Sequence, residues 1–145
     1  MVVPDVNVLV HAHRRDSPEH APNRDWLERH ASGDDPIGVP DFVLSGFIRV
    51  VTHPRVYSKP SSISDALRAA ESLREAPSFV SIAAGARHWA IFTRLCERTP
   101  ATGNLVPDAY LAALAIEAGA RLVTSDGDFG RFPGLLWQHP AAAPR

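Results

Sequence analysis

Cysteine is almost absent: Cys96 is the single one in 145 residues. A lone thiol excludes an intramolecular disulfide and any metal centre built from cysteines, and it is compatible with a reducing cytosol. Lysine is just as scarce, with Lys59 alone among the fifteen Lys and Arg residues. The others are Arg, which suits two-point contacts to phosphate, although a GC-rich coding bias gives the same skew. An excess of one charge is lacking too, since the formal net charge is -1. Bulk electrostatics therefore select no partner, and any nucleic-acid contact has to come from a local patch. No apolar run approaches a bilayer span, and no basic segment followed by an apolar stretch opens the chain as a secretory signal would. These absences predict a soluble, cytoplasmic protein without a membrane role. There is no internal repeat and no long linker. A hydrophobic content of 45% at this length fills one core and not two ordinary ones, so one domain over residues 1–145 is expected.

What is present is an alternation of short apolar runs and helical patterns. Met1 to Pro4 reads as a buried strand, followed by a helix from Val6 to Ala12 and a polar loop from Arg14 to Pro22. Trp26 and Leu27 sit in an amphipathic helix ending near Gly33, before a turn cluster at residues 32–36 and a strand from Ile37 to Val39. Val43 to Val51 reads as a helix stopped by Pro54. Tyr57 to Ser64 is a loop whose last residue is placed to cap a helix from Asp65 to Arg74. A strand over Phe79–Ile82 and a helix over Ala86–Arg98 follow. Asn104 is placed to cap the next helix, Pro107 falls in its first turn, and Gly119 closes it as a left-handed cap. Leu122–Thr124 and Leu135–Trp137 complete the strands. Strands alternating with helices predict an α/β fold with a mostly parallel sheet covered on both faces, and such sheets carry their sites at the carboxyl ends of the strands.

Four aspartates fall at those ends. Asp5 follows the first strand, Asp126 and Asp128 follow the fourth, and Asp108 lies in the first turn of the helix leading into the fourth. If the first and fourth strands are neighbours, the four carboxylates converge. Crowded carboxylates raise one another's pKa, and a divalent cation removes that cost. Hard oxygen ligands select Mg²⁺ or Mn²⁺, and such ions polarise a phosphodiester, activate water and steady a leaving oxygen. Each residue also has a plainer role. Asp5 with Asn7 can cap a helix, Asp126-Gly127-Asp128 can form a turn, and Asp108 can offset a helix dipole. The joint placement is what favours a site.

Three segments carry a resemblance. Val3-Pro4-Asp5-Val6-Asn7-Val8-Leu9, Gly103-Asn104-Leu105-Val106-Pro107-Asp108-Ala109 with Leu111 to Ala115, and Thr124-Ser125-Asp126-Gly127-Asp128-Phe129 with Arg131-Phe132 resemble, in order, motifs of the PIN-domain ribonucleases. The likeness covers nearly the whole chain and points to the VapC toxins of bacterial toxin–antitoxin pairs. It implies a single PIN-like three-layer α/β/α sandwich and Mg²⁺-dependent cleavage of RNA, with Mn²⁺ as an alternative ion. It further implies Asp5 and Asp108 as primary metal ligands and Asp126 as a ligand directly or through water. Asp128 supports Asp126, and Asn7 and Ser125 lie behind the ligands. Gly46 departs from the pattern, standing in Phe42-Val43-Leu44-Ser45-Gly46-Phe47 where many PIN domains carry a glutamate, with Asp41 the one acid nearby. The family also implies a small VapB-like antitoxin partner lying along an apolar groove, for which Trp26, Leu27, Phe42 and Phe47 are candidates, and a homodimer.

Other residues bear on RNA. Arg14, Arg15, Arg49 and Arg55, with His53 and Lys59, are candidates for a rim holding phosphates. Tyr57, Trp89 and Phe129 are candidates for base stacking, with core packing the expected role for Trp89. No histidine pair has zinc-site spacing, and all seven histidines read as surface or rim residues. Cys96 reads as a small core residue, and Ser45 has no base beside it to make a nucleophile. Three functions stay open at this point: a toxin endoribonuclease, a PIN-like RNA-binding module that has lost cleavage, and a PIN nuclease outside toxin–antitoxin systems, acting in RNA processing or on particular DNA structures.

Overall fold

A computed structural model describes residues 1–142; the last three positions of the expected 1–145 domain lie outside the described residues. Its strands are β1 (Val2–Pro4), β2 (Ile37–Val39), β3 (Phe79–Ser81), β4 (Arg121–Val123) and β5 (Trp137–Gln138). They form one sheet in the order β3-β2-β1-β4-β5, and every pairing is parallel. The helices are α1 (Val6–His13), α2 (His20–Ala31), α3 (Asp41–Val51), α4 (Ile63–Arg74), α5 (His88–Arg98) and α6 (Leu105–Glu117).

Strand order dictates the layers. From β1 the chain steps outward to β2 and β3 through α1 to α4, then returns past β1 to β4 through α5 and α6. Crossovers between parallel strands are right-handed, so the reversal puts α5 and α6 on the face opposite α1 to α4. The contacts agree: α1 packs on α2 and α3, α3 on α4, and α5 on α6. This is the α/β/α sandwich expected from the sequence. Both faces of the sheet are covered, and Val3, Ile37, Val39, Leu122 and Val123 have no solvent contact. α6 buries Ala109 and every residue from Leu111 to Ala115, and its alanines let it lie close against its neighbours.

The reversal creates a switch point between β1 and β4. Their register pairs Val3 with Leu122 and Pro4 with Val123, so both strands end together. Beyond their carboxyl ends lies the crevice where sheets of this kind place their sites.

Several boundaries differ from the sequence reading. The α4 cap is Ser62, whose side chain accepts from the Asp65 N–H, and not Ser64, which lies inside the helix. The pattern placed a serine before Asp65 but could not choose between serines two residues apart. Asn104 makes no side-chain cap bond, because it is already in helical conformation. The last strand is Trp137–Gln138, since Leu135 turns into the core and only residues 137 and 138 pair with β4. α2 starts at His20, inside the stretch expected to be loop. Gly119 does adopt the left-handed conformation, with φ of 62°. Among the described residues no helix is long and apolar enough to cross a membrane.

The Ser62 cap yields a direct test. Ser62→Ala should destabilise the fold by about 1 kcal/mol in urea unfolding. Ser64→Ala should leave stability within a few tenths, because no backbone donor depends on Ser64.

Candidate functional site

Asp5 is the residue at which β1 becomes α1. Its backbone N–H continues the ladder by donating to the Val123 carbonyl (2.9 Å), and its Oδ1 accepts from the Val6 N–H at the start of α1 (2.7 Å). Oδ2 accepts from the Asn7 side-chain amide (2.8 Å) and the Thr124 hydroxyl (2.8 Å). Asn7 Nδ2 also donates to Thr124 Oγ1 (3.1 Å), and the Asp126 N–H donates to that same oxygen (3.0 Å). Asp126 Oδ1 in turn accepts from the Asp128 N–H (2.9 Å), capping a short 3₁₀ turn over Gly127–Arg131. The ends of β1 and β4 are thus sewn together by side chains. Thr124 is fully buried at the centre of the seam. Sequence reading passed over it as the last residue of a strand; the signal available was a hydroxyl two residues before Asp126.

Asp108 reaches the same crevice from the first turn of α6. Burial pushes its pKa up, and the negative charges of Asp5, Asp126 and Asp128 push it further, to about 6. Among the described residues no hydrogen bond offsets the shift. Asp5 is also raised, chiefly by burial, with its Thr124 and Val6 hydrogen bonds pulling the other way. The structure therefore brings Asp5, Asn7, Thr124 and Asp126 into direct contact, and puts Asp108 and Asp128 within electrostatic reach. Ser125 joins through its backbone, its N–H facing Asn7 Oδ1 at 3.4 Å. Among the described residues no three Asp, Glu, His or Cys side chains already converge as a metal shell. Two of the carboxylates, Asp5 and Asp126, are turned to backbone donors instead. The donor chemistry nonetheless fits a hard divalent cation: every group is a carboxylate oxygen, and among the described residues no cation or donor offsets the charge of Asp108.

Gly46 has a concrete cause. A Cβ at this position would lie 2.8 Å from Val6 Cγ2, so α3 runs directly against the first residue of α1. The space an acid would need is filled by Val6, whose N–H holds Asp5. Asp41 is no replacement: it is exposed and paired with Arg74 (3.2 Å).

The candidate RNA contacts divide. Arg14 is already engaged, by Asp16 (2.6 Å), by the Lys59 carbonyl (3.0 Å) and by the Tyr57 ring, over which its guanidinium lies at 3.9 Å. Tyr57 is therefore covered on one face. Arg15, Arg49 and Arg55 are exposed. Phe129 is buried edge-on to Phe132 and is not available for stacking. Trp89, expected in the core, is 69% exposed, because α5 buries His88 and Leu95 and turns Trp89 outward. His88 corrects the surface reading of the histidines: it is buried between Tyr110 and Phe92 and bonds the Tyr110 carbonyl. Cys96 is half-buried at the edge of the core.

An apolar cavity of about 170 Å³ opens between α1, α2, α3 and α4, lined by Leu9, Leu27, Leu44, Phe47, Ala70 and Leu73. Of the groove candidates, Leu27 and Phe47 line it. Trp26 is sealed in the core, and Phe42 lies elsewhere against Tyr110.

A carboxylate cluster at the switch point of a parallel α/β/α sandwich matches the class the sequence suggested. The PIN domain family model matches residues 2–135. The chain is 49% identical over 140 residues to a VapC ribonuclease of Mycobacterium bovis and, equally, to ribonuclease VapC43 of Mycobacterium tuberculosis, covering 97% of this chain and 95% of each relative. The chain belongs to the PIN-domain family, in its VapC ribonuclease branch. Among solved structures, VapBC2 from Rickettsia felis, bound to a DNA fragment from their promoter, superposes with a TM-score of 0.69 at 21% identity, over 96% of this chain and 98% of that one.

Two outcomes follow from this geometry. A carboxyl whose folded pKa exceeds its unfolded value stabilises the fold fully below the unfolded value, near 3.8 for Asp108, and loses that contribution as pH rises through about 6. Without divalent metal, Asp108→Asn should therefore be more stable than the parent at pH 7.5. The gain should be about 1 kcal/mol, allowing for solvent screening at a half-buried group, or roughly 3 °C in Tm. Below pH 5 the gain should shrink; a loss at pH 7.5 would contradict the repulsion. Gly46→Glu alone should destabilise the fold through the Val6 contact, by about 1–3 kcal/mol. Adding Val6→Ala should recover most of that loss, as thermal melts of the single and double variants would show.

Proposed function

We propose that this chain is an endoribonuclease, the toxin of a VapBC-type toxin–antitoxin pair, which hydrolyses RNA phosphodiester bonds at the β1–β4 crevice. The observation that carries the reading is the convergence of aspartates at the paired ends of β1 and β4: Asp5 and Asp126 meet there through Thr124, and Asp108 lies near enough that burial and the charges of Asp5, Asp126 and Asp128 raise its pKa to about 6. Such a group is what a divalent cation would neutralise. Identity of 49% to VapC ribonucleases over almost the full length supports the RNA substrate.

Asp5, Asp108 and Asp126 would hold Mg²⁺ or Mn²⁺, with Asp128 adding negative charge beside them. A bound ion there supplies polarisation of the scissile phosphate and of the attacking water. Asp5 contributes a fixed carboxylate, since backbone and side-chain donors hold both of its oxygens. Asn7 and the Ser125 backbone tie the two strand ends on which the carboxylates stand. Asp108 is a full anion only above its raised pKa, so its capacity to hold a cation falls as pH drops through about 6. Arg15, Arg49 and Arg55, exposed and able to take phosphates, would position RNA without reading its sequence; Arg14 serves the loop instead.

The antitoxin is the proposed occupant of the apolar cavity between α1 and α4, where Leu27 and Phe47 offer unfilled apolar contacts. The VapBC complexes among the structural neighbours support a partner of that kind. A second copy of the chain is proposed to cover the exposed aromatic face formed by Trp89 with Phe92, Tyr110 and Phe42. The missing acid at Gly46 favours a second reading, an RNA-binding module without cleavage. One assay separates the two.

Purified protein incubated with total RNA and Mg²⁺ or Mn²⁺ should cut it, leaving 5′-phosphate and 3′-hydroxyl ends. Chelation, Asp5→Asn or Asp108→Asn should abolish cutting without unfolding the chain. RNA retention without cleavage favours the binding module. Ends bearing a 2′,3′-cyclic phosphate would contradict attack by an activated water.

A further inference from the structure

We propose that the partner segment seated in the apolar cavity between α1 and α4 is acidic as well as apolar, and that Arg24 receives its carboxylate at the mouth of that cavity. The inference rests on the toxin–antitoxin reading above and adds the chemistry by which the partner would be recognised.

The cavity runs into a polar cleft at the α1–α2 corner, and Ala12, His13, Arg24 and Glu28 line both. Arg15 and His20 complete the cleft. With the histidines neutral, its charges are Arg15, Arg24 and Glu28, which leaves one positive charge over. His13 forms the shared wall. Its ring is bonded to Ser61 Oγ (3.1 Å) and set edge-on to Phe47, and burial, then the Arg14 charge, hold its pKa below the ordinary value.

Arg24 is already aimed. Its Nε donates to Glu28 Oε1 one helical turn away (2.5 Å), and its side chain is half exposed. A guanidinium carries five N–H donors. The bond at Nε uses one, and among the described residues neither terminal nitrogen has a partner. Those two nitrogens can take both oxygens of a carboxylate end-on. Glu28 orders Arg24 before a partner arrives, and such preorganisation lowers the entropic cost of the contact.

The neighbouring surfaces discriminate between occupants. RNA would have to bury base edges against Leu27, Leu44 and Leu73, which offer them no hydrogen bonds. A basic segment would meet Arg15 and Arg24, with Glu28 already paired. A wholly apolar segment would strip water from the terminal nitrogens of Arg24 and replace it with nothing. A peptide with an apolar anchor beside an Asp or Glu satisfies cavity and cleft together. Arg15, proposed above to hold an RNA phosphate, borders the same cleft, so a seated carboxylate also stands where RNA would bring its charge.

The test takes as its probe the small protein whose co-expression stops RNA cleavage by the full chain. Its Kd is measured by calorimetry against the parent, Arg24→Gln and Ala69→Leu, with melting temperatures to confirm folding. Ala69 lines the cavity, so the leucine fills space the apolar anchor needs. The proposal expects both variants to weaken binding about 10-fold or more. It further expects Arg24→Glu to be rescued by changing one acidic residue of the small protein to Lys, found by exchanging each in turn. Unchanged Kd in a folded Arg24→Gln, with Ala69→Leu weakened, overturns this proposal alone. So does the absence of any rescuing exchange, or a loss of RNA affinity in Arg24→Gln with Kd for the small protein unchanged, which assigns the cleft to RNA. Unchanged Kd in both variants means the partner sits elsewhere and overturns the cavity assignment with it. A parent that neither cuts RNA nor is stopped by such a protein overturns the functional reading and this proposal together.

Discussion

Carboxylates crowded at the meeting point of two parallel strands repel one another and lose hydration, and the rest of the molecule is arranged around that burden. Asp5 is relieved locally, by the Val6 N–H, the Asn7 amide and the Thr124 hydroxyl. Asp108 has no hydrogen bond of that kind among the described residues, and burial with the neighbouring charges raises its pKa. The sheet order puts β1 beside β4, the reversal of chain direction opens the crevice there, and α6 delivers Asp108 to it from the opposite layer. Stability at neutral pH and the proposed cation-binding role would thus be opposing demands on the same residues.

The helix packing carries the second constraint. α3 approaches the start of α1 so closely that position 46 admits no side chain without displacing Val6. Val6 is also the residue whose N–H holds Asp5, so a side chain added at position 46 would disturb the start of α1 where that carboxylate is held. It also means that the acid missing at position 46 is not a simple deletion: its volume has been given to Val6.

Much of this was legible in the chain. Alternating apolar runs and helical patterns sufficed for a parallel α/β sheet covered on both faces, the motif resemblance added the three-layer sandwich, and Asp5, Asp108, Asp126 and Asp128 stood out because each falls where a strand ends or a helix begins. What could not be read depends on tertiary placement. Thr124 is an ordinary strand residue until β1 and β4 are adjacent. Trp89 and His88 are neighbours in sequence, and only the docking of α5 on α6 decides that the histidine goes in and the tryptophan out. Arg14 looked like a free cation, but it is held by a loop more than forty residues away. Two serines compete for the α4 cap, and local pattern alone does not separate them.

The central claim is that Asp108 carries an uncompensated charge conflict that a divalent cation resolves. Carboxyl-carbon NMR titration of Asp108, with and without Mg²⁺, measures it directly. The account predicts a pKa of about 6 in the metal-free protein and a clear fall on adding Mg²⁺. A metal-free value near the ordinary 3.8, unmoved by Mg²⁺, would contradict it.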